Sequence, residues 1–304
     1  MRAFRPIMFL AVAATIVAAC QTASGEVGTT TAATFAPLTT TESAIPATTT
    51  APPPASTTSS STTTTAPPQP TCTVEDVGSD DDFYRKTCEQ NDIPIATAAS
   101  VDNDALEAAA TRMAGLLAAR PDLAESVAAL IEGVVIIGRD ERITDLPEFE
   151  DLYEIHPGTD WHRLGRSFPG TEEIPTAAGA EENLLCLESD RFAGEDMFVR
   201  DFGWTIRRFG IAVVDHDLDR AIEDAYGRAI AADLWRNTVA EVNSDMYWAE
   251  GVQSFFDANN EEEDDKDQIH NHVDTRSELR TYDPFLYELL VRAFGETDWR
   301  PDCP

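Results

Sequence analysis

Residues 195–210, "EDMFVRDFGWTIRRFG", decide how the chain is read. Phe198, Phe202, Ile206 and Phe209 recur at the spacing of one buried helical stripe. The opposite face carries Arg200 and Trp204, four residues apart, with Asp201 beside them. Side chains four apart on a helix lie one above the other, so positions 200, 201 and 204 form one constellation. Taken alone it reads as the solvated face of an ordinary core helix; the surrounding chain changes that reading.

Helical periodicity continues downstream in "DHDLDRAIEDAYGRAIAADLW" (215–235), "DMYWAEGVQSFFDAN" (245–259) and "DPFLYELLVRAFG" (283–295). Upstream, "DNDALEAAATRMAGLLAARPDLAESVAALIEG" (102–133) predicts two helices broken at Pro121. "GVVIIG" (133–138), β-branched and bounded by glycines, predicts a buried strand. Residues 139–193 are irregular, with Pro147, Pro157, Pro169 and Pro175, and one further strand is expected at "NLLCL" (183–187). The pattern is α+β, with a small sheet in the N-terminal half and most helix in the C-terminal half.

The first seventy residues are of another kind. "MRAFRPIMFLAVAATIVAAC" places Arg2 and Arg5 before an apolar run from Ile7 to Ala19, too short to span a bilayer, and then Cys20. "VAAC" has the form of a bacterial lipobox, so 1–19 are expected to be removed and Cys20 lipidated. Two acyl chains on Cys20 would suffice for stable anchoring at the extracytoplasmic face of the cell membrane. Residues 20–70 are rich in Thr, Ser, Ala and Pro with almost no charge, a composition that buries no core and predicts an extended stalk. Residues 71–304 are long enough for one substantial domain.

The chain holds 55 acidic and 22 basic residues, a formal charge of −33, which argues against nucleic acid and against anionic lipid surfaces as partners. With Cys20 lipidated, Cys72, Cys88, Cys186 and Cys303 remain; export and an even number favour two disulfides. Three pairings are possible. The preferred one joins Cys72 to Cys88, closing a short loop, and Cys186 to Cys303, tying down the C-terminus. No two of these cysteines have close metal-ligand spacing.

A second motif sharpens the first. "YWAEGVQS" (247–254) follows the opening helix, with "HNHVDTRSEL" (270–279), "YDP" (282–284), "AGAEENLLCL" (178–187) and "DERITDLPEF" (140–149) around it. Together these resemble a family of secreted zincin-like proteins, related in outline to the lethal-factor-type metallopeptidases, over roughly residues 90 to 300. That family's helix reads Gly-Glu-Asn-x-x-x-His-Glu-Phe-x-His; here it is "GEDMFVRDFGW", with Gly194, Glu195 and Phe202 kept. The resemblance implies a zincin-like fold. It sets Arg200 and Trp204 at the two histidine positions, Asp201 at the general-base position and Glu250 at the third metal-ligand position. Met246 stands where the family leads one to expect an acid.

These departures have chemical consequences. A guanidinium offers no lone pair to a cation, and an indole N–H is a donor only. Zinc, expected for the family, loses its ligands, and the reading is a pseudopeptidase with no cofactor, binding an unknown protein, peptide or glycan. One rival is an active metallopeptidase with a relocated site, for which His270, His272, His216 and Glu250 are the candidates; another is a purely structural envelope protein. His156 and His162 read as structural. Arg200, Arg207 and Arg208 share a helix face and form either an open positive strip or an internal ion-pair network. Arg200, replacing the metal's charge, is expected within hydrogen-bonding reach of Glu250, with Asp201 supplying or bordering a second contact.

Overall fold

The computed structural model describes residues 70–79, 82–262 and 268–302. The expected signal segment, Cys20 and the stalk up to residue 69 lie outside the described residues, as does Cys303. The described part is α+β: a six-stranded mixed sheet in the N-terminal part and a helix-rich C-terminal half.

The strands are β1 (Glu75–Asp76), β2 (Lys86–Gln90), β3 (Ile93–Thr97), β4 (Gly133–Ile137), β5 (Ser167–Phe168) and β6 (Thr176–Ala180), ordered β1-β2-β3-β4-β6-β5. β2 and β3 form a hairpin whose two loop residues, Asn91 and Asp92, have φ of 54° and 60°. These are residue types that tolerate the left-handed region such a loop requires. β4 runs parallel to both β3 and β6, and all five of its residues are buried, as "GVVII" predicts. Its two-residue period divides the interior. Val134 and Ile136 join the main core beneath the helices, whereas Val135 and Ile137 meet Ile143, Leu146, Phe149 and Phe168 on the other face.

The strand expected at "NLLCL" is not formed. β6 ends at Ala180, and Glu181–Leu184 make a single helical turn. The carboxylates of Glu181 and Glu182 account for this. Both are buried; Glu181 accepts from the Asp102 backbone N–H (2.9 Å) and from Arg139, and Glu182 is held bidentately by Arg166 (2.7 and 2.6 Å). A strand would send two successive carboxylates to opposite faces of the sheet, into apolar core on both sides.

The long helices are α1 (Asn103–Leu117), α2 (Pro121–Leu130), α3 (Met197–Thr205), α4 (His216–Ala231), α5 (Ser244–Phe255), α6 (Arg276–Tyr282) and α7 (Pro284–Phe294). Pro121 begins α2 at its first position, where a missing N–H costs nothing. Asp196 caps α3, its side chain accepting from the Val199 N–H at 2.9 Å. The helix read through residue 210 is not uniform: beyond Thr205 it widens into a π-helical turn, Ile206–Ile211, although Phe198, Phe202, Ile206 and Phe209 all stay buried. Ser126 of α2 donates to the Phe209 carbonyl in that turn at 2.6 Å.

Packing of α3 on α5 sets the site. A Cβ on Gly203 would stand 2.8 Å from Val252 Cγ1, and Trp248 Nε1 donates to the Gly203 carbonyl at 3.0 Å. Only glycine permits that approach. The Cys72–Cys88 disulfide is formed, fastening the N-terminal segment to β2. Cys186 is also disulfide-bonded, and its Sγ lies 4.0 Å from the carbonyl oxygen of Asp302. Among the described residues no helix is long and apolar enough to cross a membrane.

Candidate functional site

The close crossing of α3 and α5 brings the two motifs of the sequence together. Arg200, mostly buried, points its Nε at Asp201 Oδ1 (2.9 Å), and its Nη1 stands 3.9 Å from Glu250 Oε1. The second distance is that of an ion pair and exceeds hydrogen-bond length. The expected direct hydrogen bond to Glu250 is therefore not made: Arg200 turns its donor to Asp201, its neighbour on the same helix. Glu250 is 2 % exposed, and its Oε1 has no hydrogen-bond partner. Its Oε2 accepts one long bond, from Asn259 Nδ2 at 3.4 Å.

Three further residues, Glu195, His270 and Gln253, complete the centre. Glu195 precedes the capping Asp196 and follows Gly194, whose φ of +100° and contact with Asn260 admit no ordinary side chain. Its Oε2 lies 3.4 Å from His270 Nε2 and 3.4 Å from Gln253 Nε2, all three residues being buried. Asp196 is held by Arg112 in a buried ion pair. Gln253 also donates to the Asp196 carbonyl at 3.1 Å, tying α5 to the start of α3.

The electrostatics follow from burial. Desolvation pushes the Glu250 carboxyl up to about 7; Arg200 and His270 oppose the shift, Glu195 reinforces it and the Asn259 hydrogen bond opposes it. Desolvation acts against the charge of Arg200, but Asp201, Glu250 and Glu195 outweigh it and hold the guanidinium protonated. Glu250 is thus a buried carboxyl that changes charge near neutrality, facing a cation that does not.

Zinc does not fit the residues present. It requires three or four nitrogen, sulfur or oxygen lone pairs converging on one point. Positions 200 and 204 supply donors only, and the Trp204 Nε1 is itself buried without an acceptor. Asp201 Oδ1 is engaged by Arg200. Among the described residues no group of three or more His, Cys, Asp or Glu side chains is arranged to hold a metal ion. The candidates for a relocated site separate: His270 joins Glu195, His272 is exposed with its ring edge-on to Tyr282 at 5.2 Å, and His216 is exposed at the start of α4. His156 packs against Trp161 at 5.9 Å between ring centres.

The three arginines do not form an open strip. Arg207 is 3 % exposed and surrounded by Asp219, Glu223 and Asp245, the last at 3.1 Å. Arg208 is half-exposed near Asp245 and Glu172. The internal network is the arrangement found. Sequence reasoning kept Glu195 only as a motif residue and His270 only as a separate metal candidate; their pairing depends on the 14 residues between α5 and His270, a stretch whose sequence carries no periodic signal. Known proteins add no further landmark, since no family model, curated protein or solved structure matches this chain.

Proposed function

We propose that this chain is an exported lipoprotein, anchored through Cys20, whose domain is a zincin-like pseudopeptidase that serves in binding at the cell envelope. The observation that carries the reading is the Arg200 guanidinium lodged between Asp201 and Glu250, a fixed cation on the helix and at the position where the family resemblance expects a metal ligand. A buried carboxylate left without a countercharge is strongly destabilising, and Arg200 supplies that charge. The Cys72–Cys88 disulfide supports an oxidising, extracytoplasmic location. The acidic surface fits ligands other than nucleic acid.

The test is restoration. The triple variant Arg200→His, Asp201→Glu, Trp204→His rebuilds the donor set opposite Glu250 and is expected to take up one zinc ion per chain, measured by elemental analysis after dialysis. The unaltered protein is expected to hold none. A triple variant that folds yet takes up no zinc refutes the alignment of the two helices with a zincin site. Stoichiometric zinc in the unaltered protein, with peptidase activity lost to chelator, overturns the pseudopeptidase reading.

A further inference from the structure

A cavity of about 440 Å³ opens beyond the C-terminal end of α5, lined by Asp257, Arg276, Ser277, Arg280, Tyr287 and Arg300 among others. None of these belongs to the Glu250 centre. Three guanidinium groups and one carboxylate thus line it, with Glu296 near enough to act on Arg276 as well, in a chain whose formal charge is −33.

Elsewhere the protein matches its buried arginines to acids. Arg112 has Asp196, Arg166 has Glu182, and Arg207 has three carboxylates. Here the matching fails. Asp257 accepts from the Arg276 backbone N–H at 2.6 Å and from Arg300 Nε, so its charge is committed to Arg300. The Arg276 guanidinium lies 3.8 Å over the Phe255 ring and donates to the carbonyls of Phe255 (2.6 Å) and Thr297. Its Nη2, shielded from solvent, has no acceptor. Arg280 is exposed, 5.4 Å above the Tyr287 ring, and makes no ion pair with a described residue. Burial and the repulsion of Arg300 push Arg276 down to about 10, so it is still a cation at neutral pH. Nη2 itself is closed off from the hollow, so what the hollow presents to a ligand is the remainder of the half-buried Arg276 together with the exposed Arg280 and the Arg300 side chain, cationic groups that an anion entering it would meet directly.

We propose that this cavity binds a doubly charged oxyanion of the phosphate-monoester type, held by Arg276, Arg280 and Arg300 with the Ser277 hydroxyl as a further donor. Planar guanidinium forks match phosphate oxygens bidentately. With Asp257 and the nearby Glu296 counted, the excess is one positive charge, and it is the fork geometry of three guanidinium groups that favours a phosphoryl group above a monocarboxylate. The volume lies in the range of small-molecule sites, so the phosphoryl group can belong to a small organic ligand.

Isothermal titration of the full-length protein with inorganic phosphate at fixed ionic strength tests this. Saturable one-to-one binding is expected. Arg280→Ala, at an exposed position, should weaken it about tenfold, the loss of one charge-assisted contact. Arg236→Ala, another exposed arginine, and Glu250→Gln, at the other site, should leave it unchanged. Melting curves without phosphate check that each variant is folded. Absence of saturable binding, or equal affinity in Arg280→Ala, overturns the proposal. Tighter binding of succinate than of phosphate overturns the phosphoryl assignment.

Discussion

At the scale of the residue, Glu250 is the group whose protonation the surroundings control. Its unfolded carboxyl titrates at 4.5 and its folded one at about 7, so between those values the folded state holds more protons than the unfolded. Stability therefore falls as pH rises through that window, and the loss is complete above it. At about 1.4 kcal/mol per pH unit, the window amounts to roughly 3 kcal/mol. Glu250→Gln removes this dependence: relative to the unaltered protein, the variant should gain about 2–3 kcal/mol between pH 5 and pH 8 in urea denaturation. Identical pH dependence in the two proteins would rule out the buried carboxyl as its source. Arg200 gives the complementary test. At pH 8, Arg200→Ala leaves Glu250 without its cation and should cost about 3 kcal/mol, against about 0.5 kcal/mol or less for the exposed Arg236→Ala. In a Glu250→Gln background the Arg200→Ala penalty should shrink. An unchanged penalty would mean that Arg200 acts through Asp201 alone.

At the scale of the element, the helices were readable because each buries one apolar stripe. Leu218, Ile222, Ala225 and Ala229 of α4 show that stripe, as do Leu286, Leu290, Ala293 and Phe294 of α7. The strands were readable only where β-branched residues cluster, in "GVVII". β6 is "TAAGA", small residues of low strand propensity that are buried because the sheet is covered on both faces. β3 contains Pro94, which argues against an interior strand. It is tolerated because pairing with β4 begins one residue later, at Ile95. Of the site, the approach of the two motif helices was legible in residues 200, 201 and 250, whereas the direction of the Arg200 donor was not, since Asp201 and Glu250 compete for it. Gly203 gives a measurable check on the crossing itself. Gly203→Ala gains helix propensity of about 1 kcal/mol but drives its Cβ into the rigid side chain of Val252, an overpacking worth about 1–3 kcal/mol. A net loss of about 1 kcal/mol is expected, recovered in part by adding Val252→Ala. A stabilised Gly203→Ala protein would show that α3 and α5 are farther apart.

At the scale of the whole molecule, charge acts through two populations that salt separates. All but two of the acidic residues (Glu26 and Glu42) and all but two of the basic ones (Arg2 and Arg5) lie from residue 71 onward, so the full excess of −33 falls on that segment. The strongest favourable pairs are buried: Arg112–Asp196 and Arg166–Glu182 have side chains no more than 8 % exposed, and Arg207 is 3 % exposed. Ions in solution barely screen such pairs, whereas they screen repulsion among exposed carboxylates over a Debye length that falls from about 30 Å at 0.01 M to about 8 Å at 0.15 M salt. Exposed pairs such as Arg220–Asp217 and Arg236–Asp233 contribute little that salt could remove. Adding sodium chloride across that range should therefore stabilise the protein at pH 8, by about 1 kcal/mol or roughly 2–4 °C in Tm for a domain of this size. Chloride is the appropriate anion, because phosphate would add the binding expected at Arg276, Arg280 and Arg300 to the screening. A Tm that falls with chloride would mean that exposed ion pairs outweigh the acidic excess, and that the buried arginine pairs are more open to solvent than their exposure indicates.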